Sequence, residues 1–180
     1  MTMYLTTKGP NIKGDVTSSN HKDWISIDSF RFGASRNIST QPGRTINRES
    51  TRPAISEVTL TKRMDKATTH LFQNALDGKV IEEVTLQLCT TSDSVSNYFE
   101  LTLTDVIISS IEETAVNAAH SDTAGSKMGV NAEQQQKNLP VETLTLNFTK
   151  FQMRYIPYDE QHKQSDPSSA GYDLTQATTI

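Results

Sequence analysis

One stretch limits the fold more than any other: Glu57 to Cys89, EVTLTKRMDKATTHLFQNALDGKVIEEVTLQLC, reads as strand, helix and strand with little left over. Val58 and Leu60 alternate with Thr59 and Thr61, the period of two of a strand with one buried and one wetted face. Asp65 is placed to cap a helix, because its short carboxylate accepts from free amides of the first turn and suits the positive end of the helix dipole. Gly78 is placed to end it in a left-handed turn. Between them Ala67, Leu71, Phe72, Ala75 and Leu76 gather on one side of about three helical turns. Val84, Leu86 and Leu88 then alternate with Thr85, Gln87 and Cys89, which assigns Cys89 to the polar side of its strand. A single helix with one apolar side, set between strands of the same kind, is buried by laying it on a sheet or across the end of a barrel.

The remaining periodic stretches are strands whose phase slips. In Trp24 to Gly33 the apolar residues Ile25 and Ile27 are odd, whereas Phe30 and Phe32 are even, so a strand crossing Asp28-Ser29 must bulge or bend, as at the corners of small barrels. Arg31 points away from the two phenylalanines. Phe99, Leu101 and Leu103 give way to Val106 to Ile111 through a second slip near Asp105, and Leu144, Leu146 and Phe148 give way to Phe151, Met153 and Tyr155 through a third. Met3 to Thr6 is an opening strand closed by Gly9-Pro10. The count is about six to eight strands and one dependable helix. An antiparallel barrel or a pair of packed sheets closes such a set, and parallel winding lacks its crossover helices. Residues 1–156 form the barrel domain and 157–180 a polar tail of the same domain, tied down by Gly171-Tyr172-Asp173-Leu174. Glu112 to Pro140, with Gln134-Gln135-Gln136, is a polar excursion outside the core.

Composition narrows the function. A hydrophobic fraction of 34% in 180 residues is low for a self-contained globule and points to polar loops or to stability supplied by neighbours. The formal net charge of −4 leaves no basic footprint for nucleic acid, and no stretch approaches a membrane span. Met1 to Pro10 has neither a basic start nor an apolar run of secretory type. The lone Cys89 excludes an intrachain disulfide. The histidines at 21, 70, 120 and 162 lack partners at ligand spacing, and His21-Lys22-Asp23, beside a turn, reads as solvated surface. Glu82-Glu83 and Glu112-Glu113 are adjacent carboxylates in strands and so face opposite ways. No residue is assigned a catalytic or metal-binding role, and the chain reads as a binding or assembly protein.

Ala34 to Ile55 has no sustained period and carries Arg36, Arg44, Arg48 and Arg52 against Glu49. A segment of this length is either a solvated loop or an arm that docks on an acidic neighbouring subunit.

Several pieces then lie in a recognisable order: Ile12-Lys13-Gly14-Asp15, His21-Lys22-Asp23-Trp24-Ile25, Ser29-Phe30-Arg31-Phe32-Gly33, Thr61-Lys62-Arg63-Met64-Asp65-Lys66-Ala67-Thr68, Asp105-Val106-Ile107-Ile108-Ser109-Ser110, and Leu144-Thr145-Leu146-Asn147-Phe148 running to Tyr155. Together with the closing Gly171-Tyr172-Asp173-Leu174 they resemble the haemolysin-coregulated protein (Hcp) family, the tube subunit of the bacterial type VI secretion system. The longer Glu112 to Pro140 excursion and Thr68-Thr69, where the family commonly has Ser-Pro, depart from its pattern.

The resemblance implies a mainly β, Hcp-like antiparallel barrel of two packed sheets with one flanking helix. It implies a homo-hexameric ring that stacks into a tube, with a valine-glycine repeat (VgrG) spike protein, a contractile sheath and lumenal effector proteins as partners. No cofactor is implied. The protein would begin in the bacterial cytoplasm and then be secreted without a cleaved signal peptide. The basic arm, with Arg36, Gln41, Arg44, Arg48, Glu49 and Arg52, corresponds to the family's loop that reaches the adjacent subunit, and Arg31 matches a position facing the channel and its cargo. The alternative is a monomeric ligand-binding β-barrel or sandwich with a cavity lined by Trp24, Phe30 and Tyr155.

Overall fold

The computed structural model describes residues 1–39, 49–50, 52–90, 97–115, 139–159 and 164–180. In chain order the strands are β1 (Thr2–Lys8), β2 (Ile25–Ile27), β3 (Ser29–Arg31), β4 (Ala34–Ser35), β5 (Ile38–Ser39), β6 (Glu49–Ser50), β7 (Ala54–Ile55) and β8 (Val58–Arg63). The helix α1 (Thr68–Asp77) follows, then β9 (Ile81–Cys89), β10 (Asn97–Thr114), β11 (Val141–Asn147), β12 (Lys150–Tyr155), β13 (Ser168–Asp173) and β14 (Thr178–Thr179). Every pairing is antiparallel. The expected six to eight strands correspond to the longer ones; the two-residue strands are too short to carry a period.

The ladder runs β2–β1–β9–β10–β11–β8–β3. Its two ends, β2 and β3, are halves of one stretch, Ile25 to Arg31, joined at Asp28, whose amide donates to the Thr61 carbonyl at 2.8 Å. The sheet therefore returns on itself, and its inward residues fill the centre: Leu5, Ile25, Leu60, Val84, Leu101 and Leu144 are all buried. Strands β12, β13 and β14 extend the layer outward from the first half of β10.

Each phase slip in the sequence is a place where the chain passes between pairing partners. At Asp28 it leaves β1 for β8. At Asp105, which has φ +51°, β10 exchanges β9 and β12 for β11. At Phe148-Thr149 the chain moves from β11 to β12, and the Thr149 amide donates to the Thr104 carbonyl while its hydroxyl donates to Asp105 Oδ2 at 3.0 Å. Phe32, Phe148 and Phe151 pack edge-on around this last corner, with centroids 5.0 to 6.1 Å apart.

Helix α1 begins three residues after Asp65. Asp65 Oδ1 accepts from the Ala67 amide at 2.9 Å and its own amide donates to Thr68 Oγ1, so it organises the turn into the helix without capping the first helical turn itself. Gly78, at φ +61°, ends the helix in the left-handed form and sends its amide to the Asn74 carbonyl. The buried stripe is Ala67, Thr68, Leu71 and Asn74. Phe72 and Leu76, expected on the core side, are 39% and 71% exposed. The helix is thus turned away from the orientation that its apolar residues alone imply.

Two buried polar clusters, one around Lys62 and one around His21, depart from the usual core. Lys62, in phase with Val58 and Leu60, is 1% exposed and donates to Glu142 Oε2 at 2.5 Å and to Asp65 Oδ1 at 2.9 Å. Glu142 is its register partner on β11 and is fully buried. His21 corrects the expectation of a solvated surface: it is 5% exposed, stacks on Tyr4 at 4.5 Å, meets the Trp24 edge at 4.8 Å, and its Nε2 lies 2.9 Å from Gln87 Oε1. Gln87 Nε2 donates in turn to Glu100 Oε2, which fixes the Gln87 oxygen toward His21. Cys89 lies on the expected side of β9 but is fully buried there, its Sγ 3.7 Å from His21 Nε2, because the Ser19–His21 turn folds over that end. Burial raises its thiol above the ordinary range, consistent with a structural rather than reactive cysteine.

Within residues 157–180, β13 adds to β12 and the chain then turns around Asp173. Asp173 Oδ1 accepts from Thr175 Oγ1 at 2.6 Å and from the Thr175 and Gln176 amides, and Oδ2 faces Lys150 Nζ at 3.3 Å. The Thr175 hydroxyl first, then the Gln176 amide, holds this carboxyl down from its ordinary 3.8 to about 2. Because the folded value lies below the unfolded one, this contribution is present above about pH 4 and is lost as pH falls through about 2. Asp173→Ala is expected to expose the amides of Ser168–Thr179 to exchange at neutral pH and to remove their acid transition. An Asp173→Ala profile that follows the parent down to pH 2 would contradict this.

Candidate assembly and lumen surfaces

Alternation that buries Leu60 and Leu146 turns Ser29, Arg31, Thr59, Thr61, Thr143 and Thr145 to the outside of the β3–β8–β11 layer. Arg31 is exposed and lies opposite Thr59, and the Ser29 and Thr61 hydroxyls are 2.6 Å apart. This face carries hydroxyls and two guanidinium groups, that of Arg31 and, at its far end, that of Arg63, which is engaged by Asp28. It is a wetted surface able to offer bidentate hydrogen bonds to a carboxylate without a hydrophobic grip.

From this layer the chain runs into an arm. Gly33 and Ser56 hold its base, with the Gly33 amide on Ser56 Oγ and the Ser56 amide on the Gly33 carbonyl, both at 2.9 Å. Beyond it β4 pairs with β7 and β5 with β6, so the segment expected to be irregular contains a two-stranded ribbon. Ala34, Ser35, Arg36, Asn37, Arg52 and Ala54 are all exposed. Glu49 belongs to the paired backbone of β6, whereas Gln41, Arg44 and Arg48 lie outside the described residues. Also outside them are His120, His162 and most of the Glu112 to Pro140 excursion. Arg36 and Arg52 thus sit on the arm near its base, and Arg31 sits on the adjoining strand.

A second exposed feature was not anticipated from the sequence. Phe72 and Leu76 on α1, with Val80 just beyond it at 50% exposure, leave apolar surface uncovered. The sequence signal was the breadth of the apolar arc, which is wider than one sheet contact can bury.

Among the described residues the interior offers no comparable site. The void enclosed by Leu5, Ile25, Leu60, Leu71 and their neighbours is about 10 Å³, on the order of the room one water needs. Trp24, Phe30 and Tyr155 do not converge: Trp24 meets His21, Phe30 stacks on Phe99 at 6.1 Å, and Tyr155 is 51% exposed. Among the described residues no helix is long and apolar enough to cross a membrane, and no group of three His, Cys, Asp or Glu side chains is placed to hold a metal ion.

Residues 4–155 match the protein-family model described as type VI secretion system effector, Hcp. No curated protein matches the chain. Among solved structures, one described as a type six secretion system protein is 22% identical, with a TM-score of 0.81 and 99% of each chain covered. Hcp1 from Salmonella typhimurium is 20% identical, with a TM-score of 0.70 and both chains covered completely. A type VI secretion system effector from Yersinia pestis is 23% identical, with a TM-score of 0.65 and coverage of 95% of this chain and 98% of that one.

Proposed function

Because the chain belongs to the Hcp family of type VI secretion proteins, we propose that it is the structural subunit of a secretion tube, forming hexameric rings that stack and carry effector proteins in their lumen. The observation that carries this reading, beyond family membership, is the ribbon of β4 to β7. Its described side chains outside the paired strands β5 and β6 are mostly exposed, so it gains little from its own domain and is built to lie on another. The uncovered Phe72, Leu76 and Val80 support the same incompleteness. A head-to-tail contact whose rotation closes gives a ring, and the faces left over permit stacking. In this reading a VgrG-type spike and a contractile sheath are the machine's other parts, and the protein passes from the bacterial cytoplasm to the outside without a cleaved signal peptide.

The purified protein is expected to sediment at about six times the 20.0 kDa chain mass and to appear as open rings in micrographs. A 20.0 kDa particle at high concentration in mild buffers would sink the proposal. Deleting residues 41–51 should abolish ring closure or stacking, and intact tubes after the deletion would return the arm to a solvated loop.

Arg31 is proposed to face the lumen and contact cargo. Arg31→Glu should leave rings intact and release acidic cargo, by analogy with truncated rim charges that weaken association. Unchanged cargo retention by intact rings would count against that role.

A further inference from the structure

We propose that Glu113 and Glu142 share one proton, and that this proton is a latch holding the end of β10 against β11. Glu113, Glu142 and Lys62 form a row across three strands, each the register partner of the next. Partners in such a row project from the same face with their Cβ atoms about 5 Å apart. Glu142 is fully buried. Its Oε2 is taken by Lys62, whereas its Oε1 has no hydrogen-bond partner among the described residues. A buried acceptor left unmet is costly. The group directly opposite it is a second carboxyl, which repels it when ionised and donates to it when protonated.

The surrounding charges favour the protonated form. Lys62 is the only cation in the row, and it is already divided between Glu142 and Asp65. Glu112 alternates to the other face of β10. On α1, which packs against β10, His70 is exposed and Asp77 is engaged by Lys79 and Gln73. Desolvation first, and the Glu142 charge second, push the Glu113 carboxyl above its ordinary 4.5, with Lys62 opposing.

A group whose folded pKa is raised contributes stability that is complete below its unfolded value and is lost as pH rises through the folded one. The latch is therefore closed in acid and released toward neutrality. What it releases is the point where the chain leaves the sheet, since β10 ends at Thr114.

The test is amide exchange in the full-length assembly between pH 4.5 and 7.5, a window in which Asp173 stays ionised. Protection of Glu112–Thr114 and Val141–Thr143 should fall about tenfold for each unit by which folding raises the carboxyl. Glu113→Gln, which keeps a donor but carries no titrating proton, should make that protection flat. An E113Q protein that follows the parental pH dependence would overturn the proposal. So would a carbon-13 titration of the parent placing the Glu113 carboxyl at or below 4.5, a measurement that stands even if the variant fails to fold.

Discussion

Lys62→Met is expected to destabilise the subunit by about 3–5 kcal/mol, because it leaves the fully buried Glu142 without its cation. A domain of this kind has only about 5–15 kcal/mol in hand, so the single substitution removes about a fifth of the total or more. Asp65, which shares the ammonium, also loses that partner and keeps its bonds to the Ala67 amide and Thr68 Oγ1. The double variant Lys62→Met/Glu142→Leu should recover most of the loss, since well-packed apolar groups of similar volume replace buried ion pairs at little cost. Urea midpoints of the parent, both singles and the double supply the cycle. A single-variant loss below about 1 kcal/mol would refute the assignment.

The second large effect is expected from Gly14→Ala. A Cβ at Gly14 would lie 2.3 Å from the Trp24 carbonyl oxygen and 2.6 Å from Ile25 Cα, both backbone atoms that cannot rotate aside. The Gly14 amide donates to the Asp23 carbonyl at 2.8 Å and Val16 continues the pairing to Trp24, so the two segments would have to part. The cost should reach about 3 kcal/mol, the top of the usual overpacking range. It should be accompanied by loss of the Tyr4–His21 stack, visible as a shifted Trp24 emission and a newly accessible Cys89 thiol. A soluble variant with unchanged thiol protection would show that the segment yields elsewhere.

The barrel was largely legible in the sequence because its signal is local. Each reversal of alternation, at Asp28, Asp105 and Phe148, marks a corner, since a chain that changes pairing partner must re-aim its side chains. Lys62 and Glu142 were not read as core, although both stand in the buried phase of their strands, beside Leu60 and Leu144; nothing in either strand alone says that the two are partners. His21 was not readable, because what buries it is the distant pairing of β1 with β9, which brings Tyr4 and Gln87 beside the turn. The β4–β7 and β5–β6 ladders escaped notice because two residues cannot display a period of two. The orientation of α1 was misjudged for a different reason. Helical spacing gives the breadth of an apolar arc but not which part of it meets the sheet.

Strand β10 runs unbroken for 18 residues, bonded to β9 and β12 along its first half and to β11 along its second. The two layers therefore share a covalent spine. A push applied to one of them reaches the other as tension along a single backbone, resisted by rows of hydrogen bonds loaded in shear and broken together, not peeled one by one. Along that spine the positive-φ residue Asp105 is braced from the side by Thr149.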